Sequence, residues 1–334
     1  MARIFMTGAE AGTTDVFTTV SDVAVSTVEK RTGAYSFLVN GYGYAMQTLL
    51  AGVTEMYIRM GIYPLTWGTT NGALLRALAT GGTEQVCLGV GKVNGLIYYF
   101  RGRWDGPLAV GTHPIVLNAW QCIEIYIKIA DVGGRLVVKI DGAIDIDYTG
   151  DTQNTETDLR TLYFMYLETN WWLAGYLDDI AVNDTAGPFN NSWIGRGGIY
   201  VKVPAGVGTY TDLHAQGHAN PWDCINEVPP DDADYMYDDT VDQKSTYALT
   251  ALVPTAGTID AINVIMRAKL DAMGTGNIAR LIRSNGVDSQ GADVGLDTSP
   301  KTIQENIETD PGEAPGTPFT IAAVNALEAG ATVR

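Results

Sequence analysis

The sequence predicts an all-β chain of two β-sandwich, jelly-roll-like domains in tandem, with few short helices. Three observations predict it. Apolar residues recur with a period of two through most of the chain, the signature of half-buried strands. Glycine is abundant, at 38 residues, and Gly-Gly, Asn-Gly and Asp-Gly pairs punctuate the alternating runs as tight strand connections require. Charged residues are only 18% of 334, which suits short strands better than long solvated helices, and the length suits two ordinary cores.

Taken in order, Arg3–Met6 reads as a first strand and TGAYSFLVNG carries a second around Ser36–Val39. In EMYIRMGIYPL, Met56, Ile58, Met60 and Ile62 share one face, and Arg59 lies on the other between Tyr57 and Tyr63. Leu74–Leu78, Val86–Val90 and Leu96–Arg101 follow. The strongest pattern is WQCIEIYIKIADVGGRLVVKIDGAIDIDYTG, where Ile123, Ile125, Ile127 and Ile129 oppose Glu124, Tyr126 and Lys128. Gly133-Gly134 and Asp141-Gly142 fold it into three antiparallel strands. LRTLYFMYL precedes GYLDDIAVND (Gly175–Asp184), where Tyr176, Ile180 and Val182 should face a core. The same parity puts Asp178 inside, in need of hydrogen bonds, and Asp179 outside.

These elements give a first domain over 1–186 and a linker over 187–196. The second domain, 197–334, opens with a strand in which Ile199, Val201 and Val203 alternate with Tyr200 and Lys202. Ala205–Asn226 reads as a long irregular loop, of the kind that is usually functional or interface-forming. Ser245–Leu252 is a strand. Ile262–Leu270 alternates too strictly for a helix, and NIARLIRSNG and KTIQENIETD are its expected partners. PFTIAAVNALEAG reads as a short amphipathic helix stopped by Gly330, with Thr332-Val333 as a last strand.

The formal charge of −17 excludes a nucleic-acid partner and an anionic membrane surface, both of which need basic protein. No stretch approaches the ~20 apolar residues of a membrane span. The apolar run in MARIFMTGAEAG is too short for a signal peptide, so synthesis in a cytoplasm is expected. Cys87, Cys122 and Cys224 are odd in number and lack CxxC spacing, which reads as isolated thiols.

GAYSFLVN, then Trp120 before a long strand, a strand ending in IDG, then GDT and YLDDIAVND together resemble the laminin-G-like or concanavalin-like jelly roll. That resemblance implies the sandwich fold for roughly residues 1–185. It does not choose among the lectins, glucanases, adhesion modules and viral structural proteins the fold hosts. Over nearly its whole length, through NNSWIGRGGIYVKVP, INEVPPDDADYMY and the terminal PFTIAAVNALEAGATV, the chain resembles virion structural proteins of tailed bacteriophages. Phe319 stands where such a segment is expected to carry Trp. This resemblance implies a protein located on the virion, made in a host bacterial cytoplasm, with phage capsid or tail proteins as partners and homo-oligomeric or lattice-bound copies.

A glucanase needs paired carboxylates on one face of a strand. In AIDID, Ala143 occupies the nucleophile's place, and Asp145 and Asp147 read as the solvent face of a strand whose Ile144 and Ile146 face the core, so no enzyme is expected. For carbohydrate binding, Trp67, Trp104, Trp171 and Trp172 are the stacking candidates. Asp178 and Asp179 are where a calcium ion would be sought, against the commoner arrangement of a buried carboxylate held by backbone N–H groups. No other cofactor is implied. His214 and His218 are four apart but not on a helix, and are not expected to bind metal. Trp193, Tyr210 and Trp222 are the expected interface anchors. The reading is a non-enzymatic virion structural protein, a capsid decoration or tail accessory protein. Its alternative is an adhesion protein recognising host-surface glycan through the first domain.

Overall fold

The structure, a computed structural model, describes residues 2–67, 72–103, 106–166 and 173–334. Every strand pairing among them is antiparallel. The chain is all-β, and it divides into two compact units. The first comprises Met1–Glu10 and Phe17–Ile199; the second comprises Ala11–Val16 and Tyr200–Arg334. No helix of the described residues is long and apolar enough to cross a membrane.

The first unit runs β1 (Arg3–Thr7), β2 (Thr19–Ser26), β3 (Ser36–Val53), β4 (Glu55–Trp67), β5 (Gly72–Leu78), β6 (Glu84–Val90) and β7 (Ile97–Arg101). It continues with β8 (Ala109–Val110), β9 (Gln121–Lys128), β10 (Gly134–Ile140), β11 (Ala143–Gly150), β12 (Leu159–Tyr166) and β13 (Leu173–Asp184). The hydrogen-bonded order is β11-β10-β9-β4-β13-β3-β12-β5-β6-β7-β8, with β1 on β13 and β2 on β3. The sandwich core lies between its two halves. Met56, Ile58, Met60 and Ile62 of β4 and Ile123, Ile125 and Ile127 of β9 are buried there, as their alternation predicts, with Leu75, Leu88 and Phe164 from the other half. Phe17 joins the halves through ring contacts to Phe5, Phe37 and Phe164, with centroids at 5.8, 4.9 and 6.4 Å.

The residues read as a linker are part of this unit. Trp193 packs edge-on against Tyr57, with centroids at 5.3 Å, and lies 6.3 Å from Tyr126. The Lys139 ammonium sits 3.4 Å from its ring centre. Asn183 donates to the Ser192 carbonyl, and the Gly195 N–H donates to Glu124. A strap thus crosses the outer face of β4, β9 and β10. It explains why Arg59 and Glu124, outward by parity, are 3% and 4% exposed.

The second unit runs β14 (Pro204–Thr211), β15 (His214–Gln216), a 3-10 turn (Pro221–Cys224), β16 (Tyr235–Tyr237), β17 (Lys244–Leu249) and β18 (Ile262–Ala268). It ends with β19 (Asn277–Ser284), β20 (Val287–Gln290), β21 (Val294–Gly295), β22 (Lys301–Ile307), α1 (Ile321–Ala326) and β23 (Glu328–Val333). The main sheet is ordered β14-β17-β23-β19-β20, with β21 also on β19. The β18–β22 ribbon packs on it, bringing Ile262, Val264 and Ile307 against Ile282, Phe319, Val324 and Leu327. Arg280 of β19 donates to Glu305 of β22 at 2.8 Å. Ala11–Val16 is held by Asp15 on Arg267 (3.0 Å) and by the Val16 carbonyl, which accepts from Gln304 (2.7 Å).

Four expectations for this half are corrected. Residues 199–203 form no strand, because Ile199 already bonds Thr32 and Asp179 through its carbonyl and N–H. The strand starts instead at Pro204, inside the stretch read as irregular, where small residues of PAGVGTYT pair with β17. β19 pairs with β23, β20 and β21 and not with β18. The helix closes at Ala326, so Gly330 lies inside β23, where a Cβ would stand 1.9 Å from the Ser245 carbonyl.

Candidate functional site

Asp178 and Asp179 sit at a bulge, since the pairing of β13 with β4 slips between Asp178 and Ala181. Asp179 adopts φ of +51°, which turns its side chain inward instead of onward to solvent. Both aspartates are 0% exposed, so the expectation of an outward Asp179 is corrected. Asp178 accepts from the N–H groups of Arg31 (2.9 Å), Thr32 (3.2 Å) and Asp179 (2.7 Å). Asp179 accepts from the Arg31 guanidinium (2.5 Å), the Thr32 hydroxyl (2.6 Å) and the Ile199 N–H (2.6 Å). Burial, then the Asp179 charge, push Asp178 up to about 8 against the pull of its three N–H donors. Glu10, which accepts from the Ala34 and Tyr35 N–H groups, is also raised by burial.

N–H donors face Asp178, and N–H, O–H and guanidinium donors face Asp179, which is how buried carboxylates are satisfied without a metal ion. Among the described residues no group of three or more His, Cys, Asp or Glu is placed to hold a metal ion. The pair does not fit a calcium site and is read as structural.

The AIDID strand is corrected in the same way. The register of β10 with β11 shifts between Val138 and Lys139, so Ile144 is 55% exposed and Asp145 8%. Asp145 accepts from the Thr112 and His113 N–H groups, both at 2.7 Å, and lies 3.1 Å from His113 Nδ1. Asp147 is held by Arg135 on the exposed side. The two acids therefore do not share a face, and no glycosidase pair forms on this strand.

The arrangement best suited to hold a ligand is an aromatic cluster that sequence reasoning missed. It lies on the face of β3, β12, β5, β6 and β7 opposite Leu75, Leu88 and Phe164, beside a smaller core cluster of Ala73, Cys87 and Phe100. Tyr163 and Tyr166 are three apart and would oppose each other on a regular strand. Met165 between them takes φ of +50°, and the kink returns Tyr166 to the side of Tyr163. Their centroids are 5.2 Å apart, edge to face. Tyr44 of β3 completes the group, 5.2 Å from Tyr163 and stacked on Tyr166 at 5.5 Å. All three are half-buried. The Arg76 guanidinium lies 4.1 Å from the Tyr166 ring centre and bonds Glu84 at 2.5 Å. The next pairs along this row are Cys87 and Phe100, with Tyr98 beside them. Burial and the Glu84 charge push the Cys87 thiol far up, so it is no nucleophile. Three adjoining tyrosines, Tyr163 set edge-on to the other two, sit over a buried and compensated Arg–Glu pair and bring their hydroxyls together.

Trp104, Trp171, Trp172 and the side chain of Trp67, the stacking residues expected from sequence, lie outside the described residues. Of the expected interface anchors, Trp193 is committed within its own unit. Tyr210 likewise donates to Asp288 at 2.7 Å, with Lys244 and Arg283 at 4.7 and 5.5 Å from its ring centre. Trp222 is half-buried in the 3-10 turn. His214 pairs across β15–β16 with Tyr237, and His218 meets Asp234 at 2.8 Å.

No family model matches this chain. No curated protein matches it either. Solved structures similar to it include an endo-β-1,4-glucuronan lyase from the fungus Trichoderma reesei, at 12% identity and a TM-score of 0.40 over 54% of this chain and 95% of that one. Domain 4 of AbnA, an extracellular arabinanase from Geobacillus stearothermophilus in complex with arabinotriose, is 13% identical, with a TM-score of 0.40 over 55% and 92% of the two chains. The carbohydrate-binding module CBM66 from Bacillus subtilis is 14% identical, with a TM-score of 0.35 over 50% and 94%.

Proposed function

We infer that the protein is a non-enzymatic glycan-binding protein whose first unit takes a sugar on the Tyr44–Tyr163–Tyr166 face. The observation that carries this is the tyrosine cluster itself. Three half-exposed rings within 5.5 Å of one another sit beside an arginine whose charge Glu84 balances. A pyranose ring has an apolar face that packs on exposed tyrosine, and the phenol hydroxyls bond its rim. The alternative on the same face, catalysis, would need an unpaired acid, base or nucleophile there. Arg76 is tied to Glu84 and Cys87 is held as a buried thiol.

The setting proposed for this activity is the surface of a tailed-phage particle, as a capsid decoration or tail accessory protein. That part of the reading is supported by the sequence motifs from GYLDDIAVND to the terminal PFTIAAVNALEAGATV. Titration of the full chain on a glycan array, followed by calorimetry on the responding oligosaccharide, tests the binding. Tyr166→Ala and Tyr163→Ala should each weaken it about tenfold or more while leaving the circular dichroism unchanged. An array with no response, or variants that bind as the wild type does, would sink the assignment, and turnover of any oligosaccharide would replace it with an enzyme.

A further inference from the structure

The ribbon β15–β16 of the second unit has one face open to solvent. His214 pairs with Tyr237 and Gln216 with Tyr235, so these four side chains share that face, while Ala215 and Met236 turn to the other. Tyr235 and Tyr237 are 47% and 49% exposed. Their rings meet edge to face at 6.1 Å, and His214 lies 5.6 Å from Tyr237. Exposed tyrosines on a short hydrogen-bonded ribbon offer a large contact area at low cost in side-chain entropy.

The segment that carries this face is acidic in sequence, and a cation from β18, Arg267, meets it at Asp232 (2.8 Å). Between Val203 and Gln243 the chain has eight aspartates and one glutamate and neither lysine nor arginine. Asp231 and Asp239 are exposed beside β16, and their carboxylates are engaged only within their own turns, by the Ala233 N–H and the Thr240 hydroxyl.

We propose that this face docks a lysine- or arginine-bearing segment of a partner protein. The cation would lie over the tyrosine rings, whose faces carry negative potential, and the surrounding carboxylates would draw it in. Charge complementarity selects this occupant over the others. Nucleic acid and anionic lipid are repelled, a second copy of the chain brings its own charge of −17, and a neutral sugar, though its hydroxyls can bond carboxylates, is not drawn in by their charge. This site is in the second unit and is independent of glycan binding by the first.

The test titrates the full chain with a fluorescent decapeptide of alternating arginine and glycine at physiological salt, read by anisotropy. The wild type should bind. The double variant Tyr235→Leu/Tyr237→Leu, which leaves net charge unchanged, should bind about tenfold more weakly. Asp231→Asn/Asp239→Asn should also bind more weakly and with a shallower salt dependence. Equal binding by the tyrosine variant would show attraction to bulk charge alone and overturn the proposal. It would equally be overturned by a wild type that ignores the peptide, by a neutral oligosaccharide that competes for the ribbon, or by self-association that the tyrosine variant abolishes. Circular dichroism of each variant confirms that it is folded.

Discussion

Replacing Asp179 by Asn tests the central polar cluster of the first unit. The side chain is fully buried, and Arg31, its charged partner, is 13% exposed. The amide keeps the volume but loses the charge, so the bonds from Arg31 (2.5 Å) and Thr32 (2.6 Å) lose their ionic component. Charge-assisted bonds contribute about 1.5–3 kcal/mol each. Leaving a buried guanidinium without its counter-charge puts the expected loss at about 3–5 kcal/mol. Urea denaturation followed by tryptophan fluorescence measures it, and the double variant with Arg31→Met should recover part of the loss. A pH series makes the test sharper. Asp178 holds its proton up to about 8 in the folded chain and to 3.8 as an ordinary aspartate. Between those values the folded state binds more protons than the unfolded one, so this group's contribution to stability declines as pH rises and levels off above 8. Asp179's charge is one cause of that shift, so in Asp179→Asn the decline should shrink and the gap to wild type should narrow from pH 5 to 8. A loss under about 1 kcal/mol, or two parallel pH curves, would refute the assignment of this pair as a mutually strained, structurally held unit.

Two further outcomes are expected. Gly33→Ala should lower the first unit's denaturation midpoint, since Gly33 has φ of +63° and a Cβ there would lie 2.3 Å from the Glu10 carboxyl carbon; an unchanged midpoint would show that Glu10 is free to move. Trp193→Ala should cost about 2–3 kcal/mol and speed hydrogen exchange at the Gly195 N–H, and unaltered exchange would mean that the strap is held without its ring.

How much of this was legible in the sequence depends on how regular each strand is. β9 was readable because isoleucine alternates through it and both its neighbours, β4 and β10, pair in register. Legibility failed wherever a bulge or a left-handed residue broke the period of two. One residue at Asp179 buried a carboxylate expected in water, one slip opposite Val138 exchanged Ile144 and Asp145, and Met165 gathered two tyrosines that parity would have separated. The tyrosine face was hidden for the further reason that its members come from strands distant in sequence, with Tyr44 and Tyr163 on different strands and Arg76 between them. In LRTLYFMYL the only visible sign was two tyrosines in one strand. β14 was hidden because glycine and alanine carry no hydropathy signal, although their small size is what lets β17 approach.

The division of the chain has a consequence for inheritance. Six residues near the beginning, Ala11–Val16, belong to the unit formed by the last 135, tied there by Asp15 to Arg267 and by Val16 to Gln304. A crossover in the gene at the seam, the natural place to exchange one sandwich for another, would deliver a second unit without this piece and leave a foreign segment to cover Arg267 and Gln304. The two halves are therefore not interchangeable cassettes. Exchange that preserves the fold must carry residues 11–16 and 200–334 together, or must bring substitutions at residues 11–16 matched to those on β18 and β22.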